Sequence, residues 1–307
     1  PELKDDLGPD LPAKHIETED EATDRPFRER HKQERLLGCY LELFKGRDDC
    51  FARQWSNKKE NKQGYVPVRR PLDLEDVREH LLGRKTYGIY LLNSQSLVSV
   101  AVLDMDLNKS IRDNPKITAK QKDLLRRERD YLLQRIPEIS KEHGLNCLTE
   151  FSGNKGFHFW YFFRPEAEAH KARTALQNII NLLKEDVSCF NLEVFPKQDK
   201  LSGKGLGNLV KLPLGIHRLS GKKSYFLPKK GQTVWDQLTV LEDISPVQLE
   251  NASQELNKST SAPVIVHPRH QEWSGKYPEL ALFIKKCPPL AQIGSSTLTV
   301  EFSTFCT

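Results

Sequence analysis

Asp104 and Asp106 stand one residue apart at the end of an apolar run, residues 98–103, with Met105 between them. Alternate residues of a strand face the same side, so the two carboxylates converge while Met105 turns into the packing behind them. Such a pair can bridge divalent cations. Hard cations take carboxylate oxygens, and two ions roughly 3.5–4 Å apart stabilise both the entering and the leaving oxygen of a phosphoryl transfer. Taken alone, Asp-x-Asp fits a strand-end turn with exposed carboxylates at least as well.

A second group runs Ser152-Gly153-Asn154-Lys155-Gly156-Phe157-His158-Phe159-Trp160. Two glycines let the backbone approach a ligand closely, and Lys155 offers a point charge to phosphate. Strand alternation puts His158 and Trp160 on one face and Phe157 and Phe159 on the other. A buried histidine satisfied by a neighbouring backbone group explains His158 as well. In the third group Glu193 is a lone acid in the apolar strand Leu192-Glu193-Val194-Phe195, where a third metal ligand, a general base or an edge-strand carboxylate would each fit. Lys211 and His217 follow on either side of Pro213 and Gly215, in a segment able to bend both toward one anionic group.

These groups need strands to hold them and helices to cover the strands. Residues 87–92 and 97–106 are rich in Tyr, Ile, Leu and Val around the polar turn Asn93-Ser94-Gln95-Ser96, which predicts a β-hairpin. Residues 146–151 and 157–163 read as a second strand pair, and 190–195 as a further strand. Helical spacing marks 33–44, 73–82 and 119–136, the last with Leu124, Leu125, Tyr131, Leu132 and Ile136 inward and Pro137 as its stop. Pro165 fits the first turn of a helix reaching residue 184, and 57–67 reads as turn-rich. Hairpins mixed with packed helices indicate an α+β domain.

Within 307 residues this suggests an acidic, loosely attached segment 1–30, a catalytic domain 31–245, and a linker with a small helical C-terminal appendage over 246–307. The net charge is only +5, but residues 1–24 hold nine acids and two bases, whereas 192–230 hold nine bases and two acids. A positive stretch broken by Gly, Pro and aromatic residues suits polyanions, and a solvated basic loop is the plainer reading. No apolar run approaches the roughly 18 residues a membrane helix needs, and the first residues lack a secretory pattern, which points to a cytoplasmic protein. The six cysteines are scattered and read as free thiols; Cys287 and Cys306 could instead join a metal site completed outside the chain.

The order and spacing of the three groups resemble the archaeo-eukaryotic primase superfamily. Its motifs are an Asp-x-Asp/Glu strand, a Ser-x-x-x-Gly-x-His-like strand and an apolar strand with a third acid. Asp104 and Asp106, residues 152–158, and Glu193 match in that order. Leu209-Val210-Lys211-Leu212-Pro213-Leu214-Gly215-Ile216-His217-Arg218-Leu219-Ser220-Gly221 looks like the Lys-x-Pro…His…Gly stretch that follows the third acid in the small primase subunit. Over residues 35–230 the likeness is greatest to the primase-polymerases of TOTE conflict systems and CRISPR loci. Two departures stand out: Glu193 replaces the Asp of many relatives, and the core lacks the zinc cluster that several carry.

The resemblance implies an archaeo-eukaryotic primase core, an RRM-like sheet with flanking helices, that joins nucleotides on a template. By that likeness Asp104, Asp106 and Glu193 would be catalytic and hold two Mg²⁺ or Mn²⁺ ions. Arg53, Ser152, Lys155, His158, Lys211 and His217 would bind the nucleoside triphosphate. Single-stranded or primed DNA would be the template, in a prokaryotic defence or CRISPR-adaptation setting with adaptation proteins or a helicase as partners. A metal-dependent nuclease would also use the three acids, leaving residues 211–217 without a task. An inert nucleic-acid-binding module would use the basic stretch and its aromatics alone.

Overall fold

Burial decides where the first helix packs, and charge decides how far it extends. In this computed structural model, residues 19–249 are described apart from positions 58, 61, 115, 184–186, 202–204, 229–230 and 232. Helix α1 (Glu19–Phe44) buries Leu36, Leu37, Tyr40, Leu43 and Phe44, the stripe expected of residues 33–44. It also reaches back into the segment expected to be loose, through exposed residues such as Arg28, Glu29, Arg30 and Lys32, whose long side chains favour helix without needing a core.

The turn-rich region instead belongs to a hairpin, β1 (Phe51–Asn57) with β2 (Lys62–Val68), paired from Phe51↔Val68 to Asn57↔Lys62. Gly64 and Pro67 hide this in the sequence, yet β2 is an edge strand, where a proline costs no ladder bond. Helix α2 (Leu74–Leu81) starts on a capping box between Asp73 and Asp76. Strands β3 (Tyr87–Tyr90) and β4 (Leu97–Leu107) do not form the expected hairpin. β3 pairs with β1 and with β8 (Leu209–Lys211) in a four-stranded sheet ordered β2-β1-β3-β8, while β4 enters a second sheet. Both runs are apolar on both faces, so periodicity could not name their partners; the Asn93 carboxamide, accepting from Gln95 N and Leu97 N, turns the chain between sheets.

After the short α3 (Lys109–Arg112), α4 (Ala119–Glu142) runs through Pro137, which was expected to stop it. Ile136, Ile139 and Ser140 bury on both sides of the proline and continue the helix despite its lost hydrogen bond. Leu124, expected inward, is exposed. Strands β5 (Cys147–Phe151) and β6 (Phe157–Glu168) follow. Pro165 lies inside β6 rather than opening a helix, because the strand is prolonged by Arg164 N donating to Val247 O and Val247 N to Phe162 O. Helix α5 (Ala169–Asn181) starts after it, followed by β7 (Phe190–Phe195), β9 (Tyr225–Leu227) and α6 (Val234–Leu238). The second sheet is ordered β7-β4-β6-β5-β9, every pair antiparallel.

Within it the sequence β4-α4-β5-β6-α5-β7 gives the spatial order β7-β4-β6-β5, the RRM-like arrangement of an α+β fold. Helix α4 lies behind the sheet, where Ser140 Oγ meets Tyr161 OH at 2.8 Å. On the front, Phe44 of α1 packs edge-on against Trp160 and Phe162. No helix among the described residues is long and apolar enough to cross a membrane. The expected linker and helical appendage lie outside the described residues from position 250 on, as do Cys287 and Cys306.

One buried histidine joins the four-stranded sheet to the loop after β8. His80 Nδ1 accepts from Tyr87 N at 3.0 Å, so its protonated Nε2 donates to Pro213 O at 3.0 Å, and Gly215 has no side chain because the His80 ring occupies that space. Burial, then the Lys211 charge, lower the His80 pKa to about 3 against the Pro213 carbonyl and Glu150. A depressed histidine stabilises the fold above its unfolded pKa and loses that contribution as pH falls from about 6.5 toward 3. Between about pH 7.5 and pH 5 this should remove about 2 kcal/mol of stability, read from urea midpoints. His80→Gln, which cannot charge, should start less stable but lose less over that interval; an equal loss in both would place the acid sensitivity elsewhere.

Candidate active site

Strand register brings Asp104, Glu193 and His158 onto one row. Asp104 pairs with Glu193 on β7 and with His158 on β6, and His158 pairs with Glu150 on β5. Glu193, Asp104, His158 and Glu150 therefore lie side by side across four strands, on one face. Met105 is wholly buried behind them, as alternation demands, and Asp106 lies one step further along β4, exposed. Gly156 sits against Asp106: a Cβ there would collide with the Asp106 carboxylate and the Met105 carbonyl.

Asp104 is four-fifths buried, and its Oδ1 receives no hydrogen bond. That oxygen faces His158 Nε2 across 3.6 Å. Burial pushes the Asp104 carboxyl up to about 6; His158 opposes the rise, and Asp106, Glu193 and Glu150 add to it. Glu193 is engaged by other partners, holding Lys197 Nζ at 2.6 Å and accepting from Asn191 Nδ2 at 3.1 Å. For that reason no three His, Cys, Asp or Glu side chains among the described residues form a ready metal shell. The donors nevertheless fit a hard cation: all are carboxylate oxygens, one is buried without a partner, and the Glu193–Lys197 pair is exposed enough to rearrange at little cost.

His158 is buried, with Nδ1 2.9 Å from Glu150 Oε2. Burial would lower its pKa, but the charge and hydrogen bond of Glu150, with Asp104, carry it upward overall. Lys211, also buried, donates to Leu212 O at 2.9 Å, Ser224 Oγ at 3.3 Å and Glu150 Oε1 at 3.5 Å. The 152–156 turn and the 215–224 loop lie against each other: Ser220 Oγ donates to Gly153 O and also meets His217 Nδ1 at 3.0 Å, while a Cβ at Gly153, whose φ is +90°, would be crowded by Lys222 O and His217 Cβ. Half-buried His217 has its pKa lowered by burial and by Lys211, with Asp106 opposing. Ser152 is half-buried in the turn, and Lys155 is exposed, its Nζ 3.4 Å from Arg112 O.

Arg53 is not brought to this row. In the four-stranded sheet Ala52, Gly88 and Lys211 align, whereas Arg53 aligns with Tyr87 and so faces the other side, exposed. The residue missed by sequence reasoning is Glu150. Its signal was present as an acid in the apolar strand Cys-Leu-Thr-Glu-Phe, at a position whose pairing with His158 only the register reveals.

Residues 35–255 match the family described as the archaeo-eukaryotic primase domain of the TOTE conflict system. The chain belongs to that primase domain family. Two solved structures are similar to it. The archaeo-eukaryotic primase domain of the cyanophage S-2L primase-polymerase is 11% identical, with a TM-score of 0.37 over 74% of this chain and 97% of that one. The polymerase domain of Mycobacterium tuberculosis ligase D in complex with DNA is 10% identical, with a TM-score of 0.32 over 75% of this chain and 88% of that one. No curated protein matches the chain. Membership in a superfamily of primase-polymerases supports a nucleotidyltransferase function for this primase domain.

An Asp104 carboxyl raised from 3.8 to about 6 favours the fold only while protonated, and that contribution is lost as pH rises through about 6. Asp104→Asn removes the charge at nearly constant shape. In metal-free buffer near pH 7.5 it should stabilise the protein by about 1–3 kcal/mol, a gain that shrinks below about pH 5. Denaturant titrations at the two pH values check this; a destabilised variant at pH 7.5 would show that Asp104 is not held against its charge.

Proposed function

We propose that the chain is a template-dependent nucleotidyltransferase, a primase that also extends primers, using Asp104, Asp106 and Glu193 as its metal-binding acids. The observation that carries this reading is the unpartnered, buried Asp104 oxygen, flanked by Asp106 and set opposite His158 in a chain of this family. When bound, Mg²⁺ or Mn²⁺ would screen the charge of the reacting phosphate and favour the attacking hydroxylate. Asp104 and Asp106 hold the cation side of the site, with Glu193 joining them after releasing Lys197. His158, His217 and Lys155 supply positive or donor groups toward the triphosphate, and the backbone of residues 152–156, closed around two glycines, lets phosphate come near. Ser152 is the neighbouring hydroxyl in that turn. Lys211 contributes its charge from below the surface, and Arg53, on the far face of its sheet, has the weakest claim to the nucleotide.

The basic segment 192–230 gives a template strand its electrostatic attraction, largely independent of sequence. Single-stranded or primed DNA as template, a prokaryotic defence or CRISPR-adaptation setting, adaptation proteins or a helicase as partners, and a cytoplasmic location belong to the same proposal.

Primer extension on a single-stranded template, with nucleoside triphosphates and Mg²⁺ or Mn²⁺, tests it. The wild type should lengthen the primer, and Asp104→Ala/Asp106→Ala should lose roughly a thousandfold or more in rate, since several kcal/mol of charge stabilisation go with the acids. The same variant should lose the metal-induced rise in thermal midpoint seen for the wild type. Shortening of the DNA to mononucleotides without added triphosphates would favour the nuclease reading. Glu193→Gln should need more metal for the same rate while folding normally, because its exposed pair with Lys197 contributes little to stability; wild-type metal dependence would move the third ligand elsewhere.

A further inference from the structure

Glu150 is fully buried on β5, between β6 and β9 of the five-stranded sheet. Its Oε2 accepts from His158 Nδ1 and from Trp160 Nε1, each at 2.9 Å, and its Oε1 faces Lys211 Nζ at 3.5 Å. Burial alone would push this carboxyl up, but Lys211 and His158 outweigh it and hold it down at about 2. A buried ion pair of this kind is poor evidence of stability, because apolar side chains of the same size often serve the fold as well. What apolar side chains cannot do is orient an imidazole. A carboxylate on one ring nitrogen sets both the tautomer and the direction of the other. Here the ring is further confined by Trp160, edge-on at 5.8 Å, whose own N–H ends on the same oxygen.

We propose that Glu150 is a positioning residue that keeps the His158 Nδ1–H turned inward, so that Nε2 is presented beside Asp104 to a phosphate of the incoming nucleotide, with Lys211 as the buried counter-charge of Glu150. The assignment of Lys211 follows from its donors. An ammonium has three hydrogens, and Leu212 O, Ser224 Oγ and Glu150 Oε1 are three acceptors for them. A lysine so engaged acts on the nucleotide through Glu150 and His158 rather than by touching phosphate. This inference rests on the nucleotidyltransferase reading for its ligand, and its structural half can be tested apart from that reading.

The experiment uses the full chain, ¹⁵N-labelled, in metal-free buffer. Wild type should show a low-field, slowly exchanging imidazole N–H proton, assigned to His158 Nδ1 by its absence in His158→Gln. In Glu150→Gln that resonance should move upfield or disappear. Because Glu150→Gln leaves Lys211 buried and unpaired, Glu150→Gln/Lys211→Met, which removes both charges, is measured beside it. Both variants should lose the resonance, and both should extend primers about tenfold to a hundredfold more slowly, the usual effect of removing a group that orients a site residue, with primer-template affinity unchanged. If the single variant fails to fold, the double variant decides. A retained Nδ1–H resonance, or wild-type turnover in the double variant, would overturn the proposal and leave the pair as internal charge balance only. A wild type that extends no primer would defeat the functional reading, while the resonance would still decide the role of Glu150.

Discussion

A carboxylate and an ammonium, both withdrawn from water, meet where the two sheets of this domain approach each other. Glu150 comes from β5, the last strand but one of the five-stranded sheet, and Lys211 from the end strand of the four-stranded one. Separating them would leave the Lys211 ammonium buried without a counter-charge, so the relative placement of the sheets is tied to this contact. The rest of the site is hung from it: His158 and Trp160 bond to the same carboxylate, and Ser224 to the same lysine. Neutral His80 and the Tyr40 hydroxyl, which donates to Pro213 O at 2.7 Å, then hold the segment after Lys211 in place without adding a charge.

The depressed pKa of His80 has a functional side. A charged His80 would stand near Lys211 with no carboxylate of its own to offset it, and burial together with Lys211 keeps it neutral. Its two nitrogens are spent on backbone groups of two different segments, Tyr87 N at the start of β3 and Pro213 O after β8. A single neutral ring therefore transmits the geometry of α2 and β3 to the loop that carries His217.

The candidate site residues were legible in part because period-two alternation is a strong local signal: Asp104 with Asp106, and His158 with Trp160, are each same-face pairs readable without knowing any partner strand. The third acid could be placed on a strand but not beside Asp104, since register between strands almost ninety residues apart is set by the packed sheet and not by local pattern. The same limitation produced the false hairpin between residues 87 and 106. Both runs are apolar on both faces, so nothing local shows that they part into different sheets. Glu150 escaped notice for a related reason: a lone acid in a short apolar strand has no meaning until its neighbours across the sheet are known. Proline and glycine misled in opposite directions, hiding the edge hairpin at Gly64 and Pro67 and suggesting a helix end at Pro137 where packing on both flanks carried the helix onward.

Charge is unevenly distributed along the shared row. From one edge inward stand Lys197, Glu193, Asp104, His158, Glu150 and Lys211, in the order given by the ion pairs and the strand register. His158 is biased toward its cation by the acids on either side of it. Signs then alternate along this row except at one step, between Glu193 and Asp104, with Asp106 of the same sign close by. Burial disfavours ionisation of Asp104 and the like charges beside it add to that cost, so its carboxyl is raised although His158 opposes the rise. Every other acid of the row has its own positive partner within the protein. The unbalanced step is therefore a place where the fold is held in a less stable state than neutral side chains would allow, and where a divalent cation would remove the repulsion, release Glu193 from Lys197 and free that lysine for an anionic substrate. Stability given up at Asp104 and charge compensation at Glu150 are two parts of one arrangement: the inner half of the row is balanced around His158, and the outer half leaves like charges side by side where a divalent cation would offset them.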